Sequence, residues 1–246
     1  MRRRWSGAAL VGAGALVFGY VVSREDWWSS ALRSLFPGLP VVVFPSATLA
    51  QLVVQHLGLV LISSAVTIAI GIPVGVWVTR PSGRDFRELV SATVDLGQTF
   101  PPIAVLALMM PLFGIGTPLP AIVALALYGL FPVVSGTVAG IDSVPPAVLD
   151  AARGMGMGRW QVLFRVELPL AARVIMAGVR TSVIINIGTA TVAAATGAGG
   201  LGSPIFSGIN TQNGALVLEG AAAAAMLAVL ADSMLARVED LVTPAG

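Results

Sequence analysis

Chemistry in this sequence depends on a few polar or helix-breaking residues set within long apolar stretches. One group lies between about residues 89 and 113: Asp95, Gln98, Thr99 and Pro101. An ionisable side chain at membrane depth usually faces other helices or a watery cavity, so Asp95 is a candidate for contact with a polar solute. The alternative is that Asp95 lies near one end of the stretch and reaches toward Arg87. The Pro101-Pro102 pair frees backbone carbonyls, which only protein or a cavity can satisfy at that depth.

A second group of small or polar residues follows a helical spacing. Ser182, Asn186, Thr189 and Ala193 are separated by four, three and four positions, so one face of a helix carries them all. Close packing against another helix explains such a stripe. Lining a translocation path explains it equally well, and the spacing does not choose between the two.

The third feature is a charged segment, residues 150–169, with the sequence DAARGMGMGRWQVLFRVELP. Its glycines predict a break between two short helices. In the second short helix, Trp160, Leu163, Phe164 and Glu167 follow the spacing of one helical face, and Pro169 ends the pattern. Taken alone, the segment is typical of an amphipathic element on a membrane surface.

Composition decides the class of protein. Hydrophobic residues make up 56% of the chain and charged residues only 11%, against about 25% charged in soluble domains. Without cysteine the chain has no disulfide and no thiolate metal site, and we interpret the single histidine, His56, as an interface residue. Without lysine it cannot hold a nucleotide-binding P-loop, and it shows no catalytic triad. We expect a membrane protein that is not an enzyme and does not bind nucleic acid.

Apolar stretches of nearly 20 residues predict about six transmembrane helices. They cover about residues 7–22, 57–78, 89–113, 119–141, 174–196 and 215–237, with an extracytoplasmic segment at 24–50. We favour an uncleaved first span over a signal peptide, because no small-residue cleavage site follows it. Six spans place both termini in the cytoplasm, and twelve of the fourteen arginines then lie on that side, as the positive-inside rule requires. Those twelve are Arg2, Arg3, Arg4, Arg80, Arg84, Arg87, Arg153, Arg159, Arg165, Arg173, Arg180 and Arg237.

The 150–169 segment also resembles a known loop motif. Asp150-Ala151-Ala152, then Gly156, then Val166-Glu167-Leu168-Pro169, are similar to the loop of permease subunits of bacterial ABC importers, which begins with Glu where this chain has Asp150. Further similarity to the osmoprotectant branch, which imports glycine betaine, choline and related quaternary amines, covers roughly residues 51–237. It rests on four segments: Gln98-Thr99-Phe100-Pro101, Gly114-Ile115-Gly116-Thr117, residues 151–157, and Asn186-Ile187-Gly188-Thr189-Ala190-Thr191 with the stretch from Gly197 to Gly202.

The resemblance implies a fold, a site and partners. The fold would be that of the methionine-importer permeases, with residues 1–50 as a first span and outer segment, 51–237 as the permease core, loop 142–172 within it, and 238–246 as a tail. The loop would dock on ATPase subunits, which bind the ATP, through Asp150, Ala151, Ala152, Gly156, Trp160, Leu168 and Pro169. Further partners would be an extracytoplasmic binding protein, membrane lipid and a second permease, which we favour as a different chain. The location would be the bacterial inner membrane.

Two alternatives to an ATP-driven importer remain at this point. A secondary transporter powered by an ion gradient predicts ionisable pairs at mid-membrane and an internal repeat, but the sequence offers only Asp95 and no repeat. A membrane assembly protein without a transport role would not need the docking motif of residues 150–169.

Overall fold

The computed structural model describes residues 2–242, with side chains from residue 11 onward, and all regular structure in that part of the chain is helical. The helices are α1 (Arg2–Ser23), α2 (Glu25–Leu35), α3 (Leu49–Val78), α4 (Arg87–Thr99), α5 (Pro102–Phe113), α6 (Leu119–Asp142), α7 (Pro146–Gly154), α8 (Arg159–Val162), α9 (Leu168–Ala193), α10 (Gly202–Asn210) and α11 (Gly214–Val242). A π-helical turn, Leu163–Glu167, joins α8 to α9 without interrupting the helical path.

Four continuous helical segments are long and apolar enough to cross a bilayer: Leu49–Val78, Leu119–Asp142, Arg159–Thr196 and Gly214–Val242. The bent pair α4–α5 would make a fifth crossing, and α1 contains the apolar segment Val11–Ser23. The all-helical, polytopic fold predicted from composition is therefore confirmed. The second predicted span begins earlier than expected, at Leu49, where Thr48 accepts a hydrogen bond from the Gln51 backbone N–H and caps the helix.

α6 lies between α3 and α9 at the centre of the bundle and packs along both. Small residues allow these helices to approach one another closely. A Cβ added at Gly178 on α9 would lie 2.4 Å from the carbonyl oxygen of Pro132 on α6, so the two backbones can approach this closely only because residue 178 has no side chain. On the other side of α6, the Thr67 hydroxyl of α3 donates to the Ala126 carbonyl at 3.0 Å.

The predicted span over residues 89–113 is divided into two helices. The chain there forms α4 and α5, which are bent by 98° at Phe100-Pro101. Phe100 and Pro101 are both extended, with ψ angles of 137° and 134°, because Pro102 starts a new helix and the residue before a proline is disfavoured in helical conformation. The polar group around Asp95 thus lies near the break between two helices.

The interpretation of His56 as an interface residue is also wrong. Its side chain is fully buried in α3, and its Nε2 lies 3.0 Å from the Ile187 carbonyl oxygen of α9. α3 extends eight residues before the predicted start of the span, which moves His56 from the end of a helix to its interior.

The two ends of the bundle differ. One end, here called the loop end, holds residues 143–167 together with the ends of α3, α6 and α11. At the opposite end, two side chains from the start of α11 hold the segment between α2 and α3. Glu219 accepts a hydrogen bond from the Phe44 N–H at 2.8 Å, and Asn213 donates to the Val41 carbonyl at 2.8 Å.

Candidate functional site

The first half of the 150–169 loop is a helix that ends in a glycine turn. α7 begins at Pro146, and two backbone hydrogen bonds cap its C-terminal end. They run from the Met157 N–H to the Ala152 carbonyl and from the Gly156 N–H to the Arg153 carbonyl. This is a Schellman motif, in which the residue after the cap is left-handed. Gly156 has a φ of 81°, so the glycine of the motif is explained by backbone conformation.

The second half of the loop presents an aromatic pair outward. The rings of Trp160 and Phe164 stack with centroids 6.1 Å apart and are 72% and 62% exposed. Leu163 and Glu167, which the sequence assigned to the same helical face, are buried. The predicted face is therefore split: one pair of residues points away from the bundle and the other packs into it.

Charge at the start of the loop is also exposed. Arg153 lies 3.4 Å from the Asp150 carboxylate, one helical turn away, and both side chains are well exposed. Ala152 is buried whereas Ala151 is exposed, so α7 rests on the bundle through one side only. Such a surface, charged and aromatic but held by a few buried residues, suits contact with another protein.

The loop returns to the bundle through a small apolar cluster. Ile141, Val144, Ala171 and Ile175 form its buried core, and Val76 of α3, Leu149 and Leu168 pack against it. Leu168 and Pro169 start α9, but the helical path from Arg159 continues through them, so the prediction that Pro169 ends the second short helix is wrong. Next to this cluster, Glu167 lies 2.5 Å from the Arg80 guanidinium.

The bend between α4 and α5 is fixed by two contacts with α6. The Gln98 amide donates to the Tyr128 carbonyl at 3.1 Å, and the Tyr128 hydroxyl donates in return to the carbonyl of Phe100. The Phe100 carbonyl, which lies outside the regular helix at the bend, is thereby satisfied by protein. Thr99 bonds its own helix at Leu96, and the other polar residue, Asp95, is exposed.

The predicted contact of Asp95 with Arg87 does not form. Arg87 pairs with Asp142 at 2.6 Å instead of reaching Asp95. Within the part of the chain that the structure describes, no hydrogen bond or ion pair of Asp95 is present. Asp95, Thr99 and Pro101 therefore form an exposed polar group at the end of α4.

Ser182 and Asn186 lie elsewhere, in the interior between α9 and α3. Asn186 is fully buried, and its amide lies 3.4 Å and 3.3 Å from the hydroxyls of Ser63 and Ser64. Ser182 is also buried and faces Gly129 of α6, where an added Cβ would lie 2.5 Å from the Ser182 hydroxyl. Within one chain this geometry is that of helix packing, while Thr189 is only partly buried. Whether any of the three faces a transported solute stays a prediction.

Sequence reasoning missed three residues of this arrangement. Tyr128 and Ser63 lie in apolar stretches, where the sequence indicates no partner for them. Arg80 was used only in the count of arginines on the cytoplasmic side. The signal for Arg80 was present, since Glu167 is a carboxylate directly before a helix that enters the membrane, and a buried carboxylate requires a cation. Among the described residues no group of three His, Asp or Glu side chains is placed to hold a metal ion.

Comparison with known proteins gives the family. Residues 71–244, which contain the loop and helices α4 to α11, match the model of the binding-protein-dependent transport system inner membrane component. The chain belongs to this family. It is a multi-pass permease subunit of an ABC importer in the inner membrane, and hydrolysis of ATP occurs in a separate subunit.

Relatives and solved structures agree with this assignment. The osmoprotectant import permease protein OsmW of Salmonella typhimurium is 42% identical over 203 residues, 80% of this permease and 93% of the relative. The glycine betaine/carnitine/choline transport system permease protein OpuCB of Bacillus subtilis is 41% identical over 192 residues, 78% of this permease and 87% of the relative. The inward-facing MetNI methionine ABC transporter superposes with a TM-score of 0.72 at 25% identity, over 80% of this permease and 96% of that chain.

Membership excludes both alternatives raised by the sequence, the ion-gradient transporter and the non-transporting assembly protein. A permease of this family works with ATPase subunits, with a substrate-binding partner and with a second permease. The resemblance predicted from the loop motif is therefore confirmed, together with the fold.

Proposed function

We propose that this permease forms the translocation path for a small osmoprotectant of the quaternary amine class, such as glycine betaine, choline or carnitine. The relatives named for these solutes support the proposal, because their similarity extends over most of both chains. The methionine transporter shares the fold at lower identity, so the fold alone does not select the solute.

Coupling to ATP hydrolysis is assigned to residues 150–169, from here on the coupling loop. The observation that carries this assignment is the exposed, stacked pair of Trp160 and Phe164 beside the exposed charges of Asp150 and Arg153. Exposed aromatic side chains next to charges are typical of protein interfaces. The loop end then faces the cytoplasm, with both termini on that side, and the arginine asymmetry supports this orientation.

The path itself is assigned to the bent pair α4–α5. Asp95 and Thr99 are exposed there, in a chain that otherwise buries or pairs most polar groups at membrane depth. A second permease chain, which we expect to be a different one, would enclose this surface. A quaternary amine carries a positive charge, which a carboxylate at Asp95 would attract.

Uptake by the reconstituted complex tests the solute class. The permease, its partner permease, the ATPase subunits and the binding protein are placed in proteoliposomes loaded with ATP. Labelled glycine betaine, choline and carnitine are offered, with methionine as the matched control. We expect ATP-dependent accumulation of at least one quaternary amine and none of methionine. Accumulation of methionine alone would contradict the proposal.

A further inference from the structure

One ion pair joins the coupling loop to a part of the bundle far away in sequence. The Arg80 guanidinium and the Glu167 carboxylate lie 2.5 Å apart, and their side chains are 28% and 4% exposed. Arg80 also donates from Nε to the Val76 carbonyl at 3.4 Å, so its side chain lies along the last turn of α3. Because Glu167 is nearly enclosed, its charge depends on Arg80 for compensation.

Two other ion pairs near the loop are of a different kind. Asp150 and Arg153 are neighbours on one helix and are mostly exposed. Arg87 and Asp142 join α4 to α6, but both side chains are about two-fifths exposed. Exposed pairs are screened by water and salt and hold their partners weakly. Arg80–Glu167 is the shielded connection between the loop and the α3–α4 region.

Arg80 belongs to a compact turn that leads directly into α4. Its N–H donates to the Trp77 carbonyl at 3.0 Å, and its own carbonyl accepts from the Gly83 N–H at 3.0 Å. A Cβ added at Gly83 would lie 2.3 Å from the Trp77 carbonyl oxygen, so the turn closes tightly. The rings of Trp77 and Phe86 stack across it with centroids 5.5 Å apart. A displacement of Arg80 therefore moves the whole turn and the start of α4.

Glu167 occupies the matching position on the loop side. It is the last residue of the π-helical turn and stands directly before Leu168-Pro169, where the loop becomes α9. π-helical turns are rare and are often found at functional sites. A force on the exposed ring of Trp160 reaches Glu167 along a single continuous helical path, Arg159–Thr196.

We propose that Arg80 and Glu167 are positioning residues of transport: their ion pair passes movement of the docked coupling loop to the turn before α4, and so to the polar end of α4 at Asp95 and Thr99. This inference rests on the proposed function of the loop. It assigns to the pair a role in converting hydrolysis into solute movement, which is separate from the docking of the ATPase.

The test compares three variants in the full reconstituted complex. Arg80→Gln/Glu167→Gln removes both charges, so no unpaired carboxylate is left buried. Arg80→Glu/Glu167→Arg exchanges them and can restore the attraction. Arg84→Gln is the matched control, since Arg84 lies on the same turn, is exposed, and has no ion pair with any residue that the structure describes. Membrane abundance, ATPase co-purification, ATP hydrolysis and uptake are measured for each.

We expect the double-neutral variant to assemble and to bind the ATPase as the unmodified chain does, while solute moved per ATP hydrolysed falls at least fivefold. The charge exchange should recover most of that ratio, and Arg84→Gln should keep it. An unchanged ratio in the double-neutral variant would overturn the proposal. So would reduced abundance with a normal ratio in the complexes that assemble, because the pair would then be structural only. If the unmodified complex itself neither docks the ATPase nor transports, the proposed function fails, and that outcome is distinct from the others.

Discussion

The Tyr128 hydroxyl donates a hydrogen bond to the Phe100 carbonyl, at the point where α4 ends and the chain turns by 98° into α5. Gln98 donates to the carbonyl of the same tyrosine, so one residue of α6 makes two contacts with the end of α4. A chain break at membrane depth is tolerated only where its backbone groups find partners. Tyr128 supplies that partner here, and the position of the exposed group at Asp95 depends on it.

Removing this hydroxyl should loosen the bend. Tyr128→Phe leaves the Phe100 carbonyl without its donor, at a cost on the order of 1 kcal/mol for one hydrogen bond in a membrane protein. We expect normal insertion, a lower thermal midpoint of the purified permease and slower uptake. Tyr20→Phe is the matched control, because Tyr20 is the only other tyrosine and is exposed on α1. Equal midpoints and uptake in both variants would show that the bend does not need the bond.

The glycine turn of the coupling loop can be tested with two neighbouring glycines. An added Cβ meets no atom within 4 Å at either Gly154 or Gly156, but only Gly156 has a positive φ, 81°. Left-handed backbone costs a residue with a side chain roughly 1–2 kcal/mol. We therefore expect Gly156→Ala to lower ATPase co-purification and uptake, and Gly156→Ile to lower them further. Gly154→Ala should leave both unchanged. Loss of co-purification in Gly154→Ala, or none in Gly156→Ile, would contradict this explanation of the motif.

The two groups of polar residues should respond differently to leucine. Asn186 is enclosed beside Ser63 and Ser64, so Asn186→Leu forces a larger apolar side chain into a packed interface. Overpacking costs typically 1–3 kcal/mol, and we expect less assembled complex. Asp95 is exposed, so Asp95→Leu should assemble normally and transport poorly. Complex yield and uptake per complex separate these effects. Normal yield with slow uptake in Asn186→Leu would instead indicate that this residue lines the path.

The orientation proposed for the bundle can be tested with single cysteines, since the chain contains none of its own. Ser30 lies on α2 and Ser82 on the turn before α4, and both are exposed. We expect Ser30→Cys to react with a membrane-impermeant thiol reagent added to intact spheroplasts, and Ser82→Cys to react only after lysis. The reverse pattern would invert the topology and place the coupling loop outside.

Sequence reasoning predicted the parts of this molecule that depend on local pattern. The glycine break of the coupling loop and the membrane helices follow from residue type and from runs of apolar residues. The stripe at Ser182 and Asn186 predicted one shared face of a helix, and both side chains do lie in the interior between helices.

What could not be predicted depends on partners distant in the sequence. The proline pair at residues 101–102 allowed a kink, but the 98° bend also involves a hydrogen bond from Tyr128 on another helix. His56 appeared to lie at a helix end because the predicted span began only at residue 57, and its packing against Ile187 shows that it is internal. Glu167 indicated that a cation was needed, but its partner Arg80 is distant in the sequence and only the fold identifies it.

The central claim is that the coupling loop connects ATP hydrolysis to import. Asp150→Lys reverses the charge at the exposed start of the loop, while the buried contacts of Ala152 and Leu163 stay in place. Asp85→Lys is the control, an exposed carboxylate at the same end of the bundle. Both variants are reconstituted with the ATPase subunits, the second permease and the binding protein, and glycine betaine uptake is measured in parallel with ATP hydrolysis. We expect Asp85→Lys to behave as the unmodified chain. Asp150→Lys should insert normally but bind the ATPase about tenfold or more weakly, roughly 1.4 kcal/mol of docking free energy, and lose most of its uptake. Full uptake by Asp150→Lys would contradict the claim.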